Sequence, residues 1–183
     1  MNKDEIISYF HRLDKELATP SILHIYGSAA VILLGSEDRT SLDIDVAGPY
    51  STVDEARFAE ASANAGLPVN PVSDFSSNHV EWIGPLRLCL PPPVSGTLPL
   101  TLWRGANLVV QTGNVEDLVA SKLIRYDETD QADIHFLYQT SRFMFESVSS
   151  AVKTLPRPFC EDTLVMENLA NLKLDMAIWK GMT

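Results

Sequence analysis

The stretch that most constrains this 183-residue chain is LDIDVA, residues 42–47. Apolar and acidic residues alternate in it, which is the pattern of a β-strand with one buried face and one polar face. Residues two positions apart in a strand share a face, so Asp43 and Asp45 are expected to lie roughly 6–7 Å apart on one side. Leu42, Ile44 and Val46 would then face the core. Because two carboxylates so close together repel each other, the stretch predicts a sheet whose polar face binds a cation.

Gly27 and Ser28 precede this strand and follow the apolar segment 22–26, which is predicted to be a buried strand. Residues 29–34 are predicted to form a short helix with Ser28 as its N-cap and Gly35 as its end. Glycine lets a ligand approach the backbone closely, and the unpaired N–H groups at a helix start attract phosphate. A phosphate-binding turn beside two metal-binding carboxylates predicts a nucleoside-triphosphate site that uses Mg²⁺.

The remaining pattern predicts an α/β (α+β) chain, with a small mixed β-sheet, flanking helices and a helical C-terminal region. The chain is divided accordingly into an α/β core at 1–112 and a helical region at 113–183. The predicted helices are 3–17, 53–65 with Thr52 as its cap, a helical stretch from 115 to about 140, 143–154 and 161–180. The further predicted strands are 80–83, 86–90, 98–103 and 108–111.

The amino-acid composition restricts the class of protein that this chain can be. A hydrophobic content of 45% and a charged content of 21% are typical of a globular protein. The apolar runs are too short for a membrane span, and the two cysteines and four histidines lack metal-type spacing, so a cytoplasmic protein with no membrane partner is expected. The net charge of −10 argues against broad adhesion to nucleic acid, but it does not exclude a nucleotide held through a metal.

Two segments carry a resemblance to a known family: YGSAAVILLG…RTSLDIDV, and VEDLVASKLIRYDETDQADIHFL. Together they resemble the AbiEii-type nucleotidyltransferases, which share the DNA polymerase β-like fold and include the toxins of type IV toxin–antitoxin pairs. The resemblance covers roughly residues 20–140. It implies metal-dependent transfer of a nucleotide from an NTP to an acceptor, which is an RNA (tRNA) or a protein. It also implies Mg²⁺ or Mn²⁺ as the cofactor and a cognate antitoxin protein as a partner.

The resemblance assigns roles in the first segment. By its motif, Gly27 and Ser28 hold the triphosphate, while Asp43 and Asp45 bind the metal and act in catalysis. Arg39 also matches the motif, and it would contact either phosphate or a structural carboxylate.

In the second segment the resemblance gives Lys122 a phosphate contact and gives Asp133 or Asp130 a role in orienting Lys122 or assisting the acceptor proton. A second interpretation is that these charges form the solvated face of amphipathic helices with ordinary surface pairs. Active members of the superfamily often carry a third carboxylate on a later strand, for which Asp74 and Glu81 are the candidates.

Two other functions are compatible with the same residues. One is a catalytically inactive protein of the same fold that acts as a binding or regulatory partner, since a fold does not by itself establish activity. The other is adenylylation of a small molecule or a protein, which would suit a chain without a basic RNA-binding composition.

Overall fold

The computed structural model describes residues 1–36, 38–73, 76–94, 96 and 98–181. Its compact packing divides the chain into two units. The first unit comprises Met1–Leu88 and Ser95–Thr112, and the second comprises Cys89–Val94 and Gly113–Thr183. Residues 89–94, which the sequence-based division placed in the α/β core, therefore group with the second unit.

The first unit alternates helices and strands, and the second unit is helical. In chain order the elements are α1 (Lys3–Glu16), β1 (Ser21–Tyr26), α2 (Gly27–Leu33), β2 (Asp43–Ala47), α3 (Glu55–Asn64), β3 (His79–Ile83), β4 (Leu100–Arg104), β5 (Leu108–Thr112), α4 (Val115–Lys122), α5 (Glu128–Ser141), α6 (Phe145–Val152) and α7 (Thr163–Gly181).

The strands form a five-stranded sheet in the order β3-β2-β1-β5-β4. β1 runs parallel to β5 and antiparallel to β2, while β2 runs parallel to β3 and β4 runs antiparallel to β5. In the same unit, α1 contacts α2 and α3, and α2 contacts β1 and β2. The prediction of a small mixed sheet with flanking helices and a helical C-terminal region is confirmed.

The strand register separates an apolar face from a polar face. Ile25 of β1 is paired with Val46 of β2, and Ile44 of β2 is paired with Val80 of β3; all four side chains are buried. The residues that alternate with them carry polar groups: Tyr26 is paired with Asp45, Asp43 with His79, and Asp45 with Glu81. Paired residues project from the same face of a sheet. We call this side the polar face; it is defined by Tyr26, Asp43, Asp45, His79 and Glu81.

The predicted helix at the start of the chain is confirmed as α1. Asn2 and Glu5 form a capping box, in which the Glu5 N–H donates to Asn2 Oδ1 over 3.0 Å and the Asn2 N–H donates to Glu5 Oε2 over 2.7 Å. An apolar stripe along this helix is buried at Ile6, Phe10 and Leu13. Local sequence signals are sufficient here, because the cap and the stripe both lie within the helix itself.

Three local predictions for residues 42–90 are wrong. Residues 86–90 form no strand, because the Arg87 N–H donates to the Gly84 carbonyl in a turn, and Leu86 is 93% exposed. Leu42 precedes β2 and is 45% exposed instead of facing the core. α3 is capped by the Asp54 carboxylate rather than by Thr52, whose hydroxyl accepts a hydrogen bond from the Ile22 N–H over 2.8 Å.

In the second unit, the helical stretch predicted from residue 115 to about 140 is split into α4 and α5. Tyr126 adopts a φ of 56°, and the Asp127 side chain then caps α5 by accepting a hydrogen bond from the Asp130 N–H. α4 packs against α5 and α6, and α7 packs against α6. Asn168 on α7 donates to the Leu123 carbonyl over 2.8 Å. Throughout the described residues, every helix is too short or too polar to span a membrane.

Asp14 links the end of α1 to the turn between β4 and β5. Its carboxylate accepts hydrogen bonds from the backbone N–H groups of Ala106 (3.0 Å), Asn107 (2.8 Å) and Leu108 (2.7 Å). Burial by itself would raise the pKa of Asp14, but these three donors favour the ionised form and bring the pKa below its ordinary value. A Cβ at Gly105 would lie 2.4 Å from the Asp14 carboxyl group, so this close contact also requires glycine.

We predict that Asp14 makes stability dependent on pH. Because its pKa is lower in the folded chain than in the unfolded chain, the stabilisation is complete above about pH 4 and is lost as the pH falls through the lowered pKa. Asp14→Asn should reduce the free energy of unfolding by about 1–2 kcal/mol at neutral pH and should weaken the acid dependence. Urea denaturation across this pH range measures both effects.

The control is Glu16→Gln, which alters an exposed carboxylate two residues away on the same helix. This variant should retain the wild-type pH dependence. An Asp14→Asn protein whose unfolding free energy falls with acid as steeply as that of the wild type would contradict the assignment.

Candidate functional site

Gly27 and Asp45 are in close contact where β1 ends. Gly27 has a φ of 67°, and a Cβ built on it would lie 2.2 Å from Oδ2 of Asp45. Tyr26 is paired with Asp45 across the two strands, which brings the turn against the carboxylate. Both the backbone conformation and the lack of space require glycine at this position. The Gly-Ser turn and the second aspartate of the D-x-D pattern therefore lie together.

Ser28 does not have the capping role expected from the sequence. α2 begins at Gly27, and Tyr26 occupies the cap position without a side-chain hydrogen bond. The Ser28 hydroxyl instead accepts a hydrogen bond from Nη2 of Arg39 over 2.7 Å. Nη1 of Arg39 donates to the Thr40 carbonyl over 2.9 Å, which holds the guanidinium beside the turn. Gly27, Ser28 and Arg39 are thus brought together.

Asp43 and Asp45 are both half-buried on the polar face. Oδ1 of Asp43 accepts a hydrogen bond from the Ser41 hydroxyl over 3.1 Å. The Ser41 backbone is held in turn by its N–H, which donates to the Met1 carbonyl over 3.0 Å. The side chain of Asp43 is therefore oriented by the segment that leads into β2.

Glu81 is the third carboxylate of the polar face. It is paired in register with Asp45, and its side chain is 24% exposed. Oε2 of Glu81 is 2.9 Å from Nη2 of Arg87, whose side chain is 67% exposed. Exposed ion pairs of this kind contribute little to stability, so Glu81 can exchange this partner for another cation at small cost. The other candidate, Asp74, lies outside the described residues.

His79 lies on the same face and was not selected from the sequence. It is 2% exposed and is paired in register with Asp43. One ring nitrogen of His79 and one carboxylate oxygen each from Asp43 and Glu81 lie within 4.8 Å of one another, a group that could hold a metal ion. The signal was present in the sequence: HVE at 79–81 has the same spacing of two residues as DID at 43–45.

A cavity of about 270 Å³ opens beside β3. It is lined by Asn70, Pro71, His79, Glu81 and Arg87. The backbone of Asn70 is held by β3, because its N–H donates to the Val80 carbonyl over 2.9 Å. The cavity therefore provides space for a small polar ligand against two of the groups on the polar face.

His24 is a packed histidine of the same unit. It lies on β1, is 5% exposed, and its Nε2 accepts a hydrogen bond from the Gln111 side-chain amide. The ring also meets Tyr50 edge to face, with 6.1 Å between ring centroids. Burial lowers the pKa of His24, so the imidazole is neutral at physiological pH.

In the second unit, Lys122 belongs to a buried ion network. Its Nζ lies 3.1 Å from Oδ1 of Asp130 and 2.7 Å from Oδ2 of Asp133, and the three side chains are 2–5% exposed. Arg125 adds a second cation, with Nε 2.9 Å from Oδ2 of Asp130. The interpretation of Lys122, Asp130 and Asp133 as a solvated face is therefore wrong. A phosphate contact by Lys122, which stays a prediction, would require it to leave two carboxylates.

We predict that Gly27 and Asp45 are energetically coupled. Gly27→Ala should lower the free energy of unfolding by about 1–3 kcal/mol, through the strained φ and through displacement of the Asp45 carboxylate. In an Asp45→Ala background Gly27→Ala should lower the free energy of unfolding by less. The Cβ of residue 45 would then be the nearest atom of that side chain, 3.6 Å from the Cβ at position 27, which is an ordinary contact distance. A double-mutant cycle by chemical denaturation measures the difference.

Gly84→Ala is the matched control, since a Cβ there meets nothing within 4 Å. It should leave the free energy of unfolding within about 0.5 kcal/mol of the wild type. Equal costs for Gly27→Ala in both backgrounds would show that the close contact does not exist in solution.

We also predict that Lys122 is required for folding of the second unit. Lys122→Met should cost about 3–5 kcal/mol, because it leaves two buried carboxylates without their shared cation. Adding Asp133→Asn should recover part of that loss. Lys153→Met, at an exposed lysine just after α6, is the control. A Lys122→Met protein as stable as Lys153→Met in urea denaturation would exclude the network.

No protein-family model, curated protein or solved structure matches this chain. The resemblance carried by the two sequence segments therefore stays a prediction. The strand register brings Asp43, Asp45, His79 and Glu81 to one face, and Gly27 contacts Asp45 there.

Proposed function

We propose that this chain is a metal-dependent nucleotidyltransferase, which transfers a nucleotide from an NTP to an acceptor. The observation that carries the proposal is the placing of Asp43, Asp45 and Glu81 on one sheet face, with the Gly27-Ser28 turn against Asp45. Three carboxylates beside a close-packed glycine turn form an arrangement suited to a metal–triphosphate complex.

The donor set fits Mg²⁺ or Mn²⁺. Asp43 and Asp45 provide hard oxygen ligands from one strand, and Glu81 provides a third from the adjacent strand. When bound, such a metal neutralises triphosphate charge and lowers the pKa of an attacking oxygen. The chain itself contributes the orientation of Asp43 through Ser41 and an exchangeable Arg87 partner for Glu81.

The turn supplies groups suited to phosphate. Ser28 contributes a hydroxyl, and Arg39, bonded to it over 2.7 Å, contributes a guanidinium. Guanidinium groups bind phosphate with several directed hydrogen bonds, which makes Arg39 a phosphate contact in this proposal. The lack of a Cβ at Gly27 lets the backbone and the Asp45 carboxylate approach the same ligand.

In the proposed reaction the oxygen of an acceptor hydroxyl attacks the α-phosphorus in line and releases its proton to the solvent. The bond from the α-phosphorus to the bridging oxygen breaks, and pyrophosphate leaves. Such a reaction needs mainly correct positioning and stabilisation of charge, which the carboxylates, Ser28 and Arg39 supply. The acceptor classes are a tRNA and a protein, and the biological role is that of a type IV toxin controlled by a cognate antitoxin. With a net charge of −10, the chain is better suited to holding a nucleotide through metal than to coating a nucleic acid.

One observation favours the alternative of an inactive protein of this fold that binds or regulates a partner. Lys122, proposed to contact phosphate, is buried with Asp130 and Asp133 at salt-bridge distance. In the alternative, Lys122 is purely structural and the polar face binds a nucleotide without turnover. NTP binding without transfer would therefore favour the alternative over the enzyme.

We predict transfer of label when the protein is incubated with α-³²P-labelled NTPs, Mg²⁺ or Mn²⁺, and either tRNA or cell lysate. Asp43→Asn with Asp45→Asn should reduce the transfer rate by at least about 10³-fold, because both proposed metal ligands are lost while the shape is kept. Gel autoradiography of RNA and of protein distinguishes the acceptor classes.

The control is Glu60→Gln, an exposed carboxylate on α3, which should leave the rate unchanged. Transfer that persists in the Asp43→Asn, Asp45→Asn protein would overturn the assignment of the site. An absence of both transfer and NTP binding by calorimetry would overturn the proposed function as a whole.

A further inference from the structure

We propose that His79, together with Asp43 and Glu81, forms a binding site for a transition-metal dication of the Mn²⁺–Zn²⁺ class. This inference rests on the proposed metal-binding role of Asp43 and extends it by adding a nitrogen ligand. It thereby names the metal class that the site prefers.

The backbone determines which ring nitrogen of His79 carries hydrogen. Nδ1 lies 2.8 Å from the Ser77 carbonyl oxygen, and a carbonyl can only accept, so Nδ1 is the donor. Nε2 is therefore the nitrogen that can bind a metal. Histidine ligands in proteins commonly donate their second ring N–H to a carbonyl or carboxylate, which orients the ring. His79 already has this orienting hydrogen bond.

The ligand atoms are close enough for one ion. Nε2 of His79 lies 3.7 Å from Oε1 of Glu81, and the ligand atoms of His79, Glu81 and Asp43 all lie within 4.8 Å of one another. Metal–ligand bonds of about 2.0–2.2 Å place neighbouring ligand atoms about 3 Å apart. Small side-chain rotations of the two half-buried carboxylates would shorten the distances between the ligand atoms to this value, while the buried ring stays in place.

The electrostatics of the cluster also call for a cation. With Nδ1 donating to the Ser77 carbonyl, Nε2 presents a lone pair, and the carboxylate oxygens of Asp43 and Glu81 present further lone pairs to the same small volume. A metal ion bound by all three groups would relieve this repulsion.

The ligand types select the metal. Mg²⁺ prefers an all-oxygen octahedron and keeps several waters, so a buried imidazole contributes little to its binding. Imidazole with carboxylates suits Mn²⁺ and Zn²⁺ better, and affinity rises along that series. The cavity of about 270 Å³ lined by His79 and Glu81 leaves space for the remaining ligands, such as water or a phosphate oxygen.

The experiment uses the full chain without nucleotide, in titrations with MnCl₂ and MgCl₂ followed by calorimetry. Mn²⁺ should bind at least about tenfold more tightly than Mg²⁺. His79→Gln should weaken Mn²⁺ binding at least about tenfold while changing Mg²⁺ binding less than about threefold. His11→Gln, which alters an exposed histidine of α1, should change neither.

A second measurement needs no variant, in case His79→Gln does not fold. Pulsed electron paramagnetic resonance of the wild-type protein with Mn²⁺ should show coupling to ¹⁴N from the imidazole. A bound Mn²⁺ without ¹⁴N coupling, equal Mn²⁺ affinity of folded His79→Gln, or no Mn²⁺ binding would each overturn the inference. Binding of Mn²⁺ through nitrogen without nucleotide transfer would instead overturn the proposed function and leave this site intact.

Discussion

The pairing of β2 with β1 on one side and with β3 on the other is the constraint on which the candidate site depends. A shift of one residue in either pairing would turn every side chain of a strand to the opposite face. Ile44 and Val46 are buried, and burying a side chain of this size is worth about 1.5–3 kcal/mol, so the register is set by the apolar face. Asp43 and Asp45 are consequently held on the other face without any favourable interaction between themselves. The acidic site is thus a product of hydrophobic packing behind it.

Features that depend on near neighbours in the chain could be predicted from the sequence. The alternation around Asp43 and Asp45 predicted one polar strand face, because side chains in a strand alternate with a period of two. The apolar stripe of α1 predicted that helix nearly to the residue. Gly27 was identified as a position of close approach, although its partner, the Asp45 carboxylate, could be recognised only in the structure.

Features that depend on distant parts of the chain could not be predicted. Asp43 and His79 are far apart in sequence, and no local pattern specifies that β2 and β3 lie parallel in this register. Asp130 and Asp133 lie in the helical stretch predicted from the sequence, but their burial with Lys122 depends on how the helices of the second unit pack. At residues 86–90 the sequence predicted a strand that the structure does not contain. Their apolar composition suggested a strand, but the turn that begins at Gly84 leaves the segment without a partner strand in the described sheet.

The contact between Gly27 and Asp45 also bears on how relatives of this chain would diverge. A relative that kept aspartate at position 45 would be under selection to keep glycine at position 27 whatever its activity, because the steric conflict is independent of chemistry. Retention of the glycine is therefore a poor marker of activity across a lineage. Joint retention of Asp43, His79 and Glu81 would be the corresponding marker of the proposed metal site.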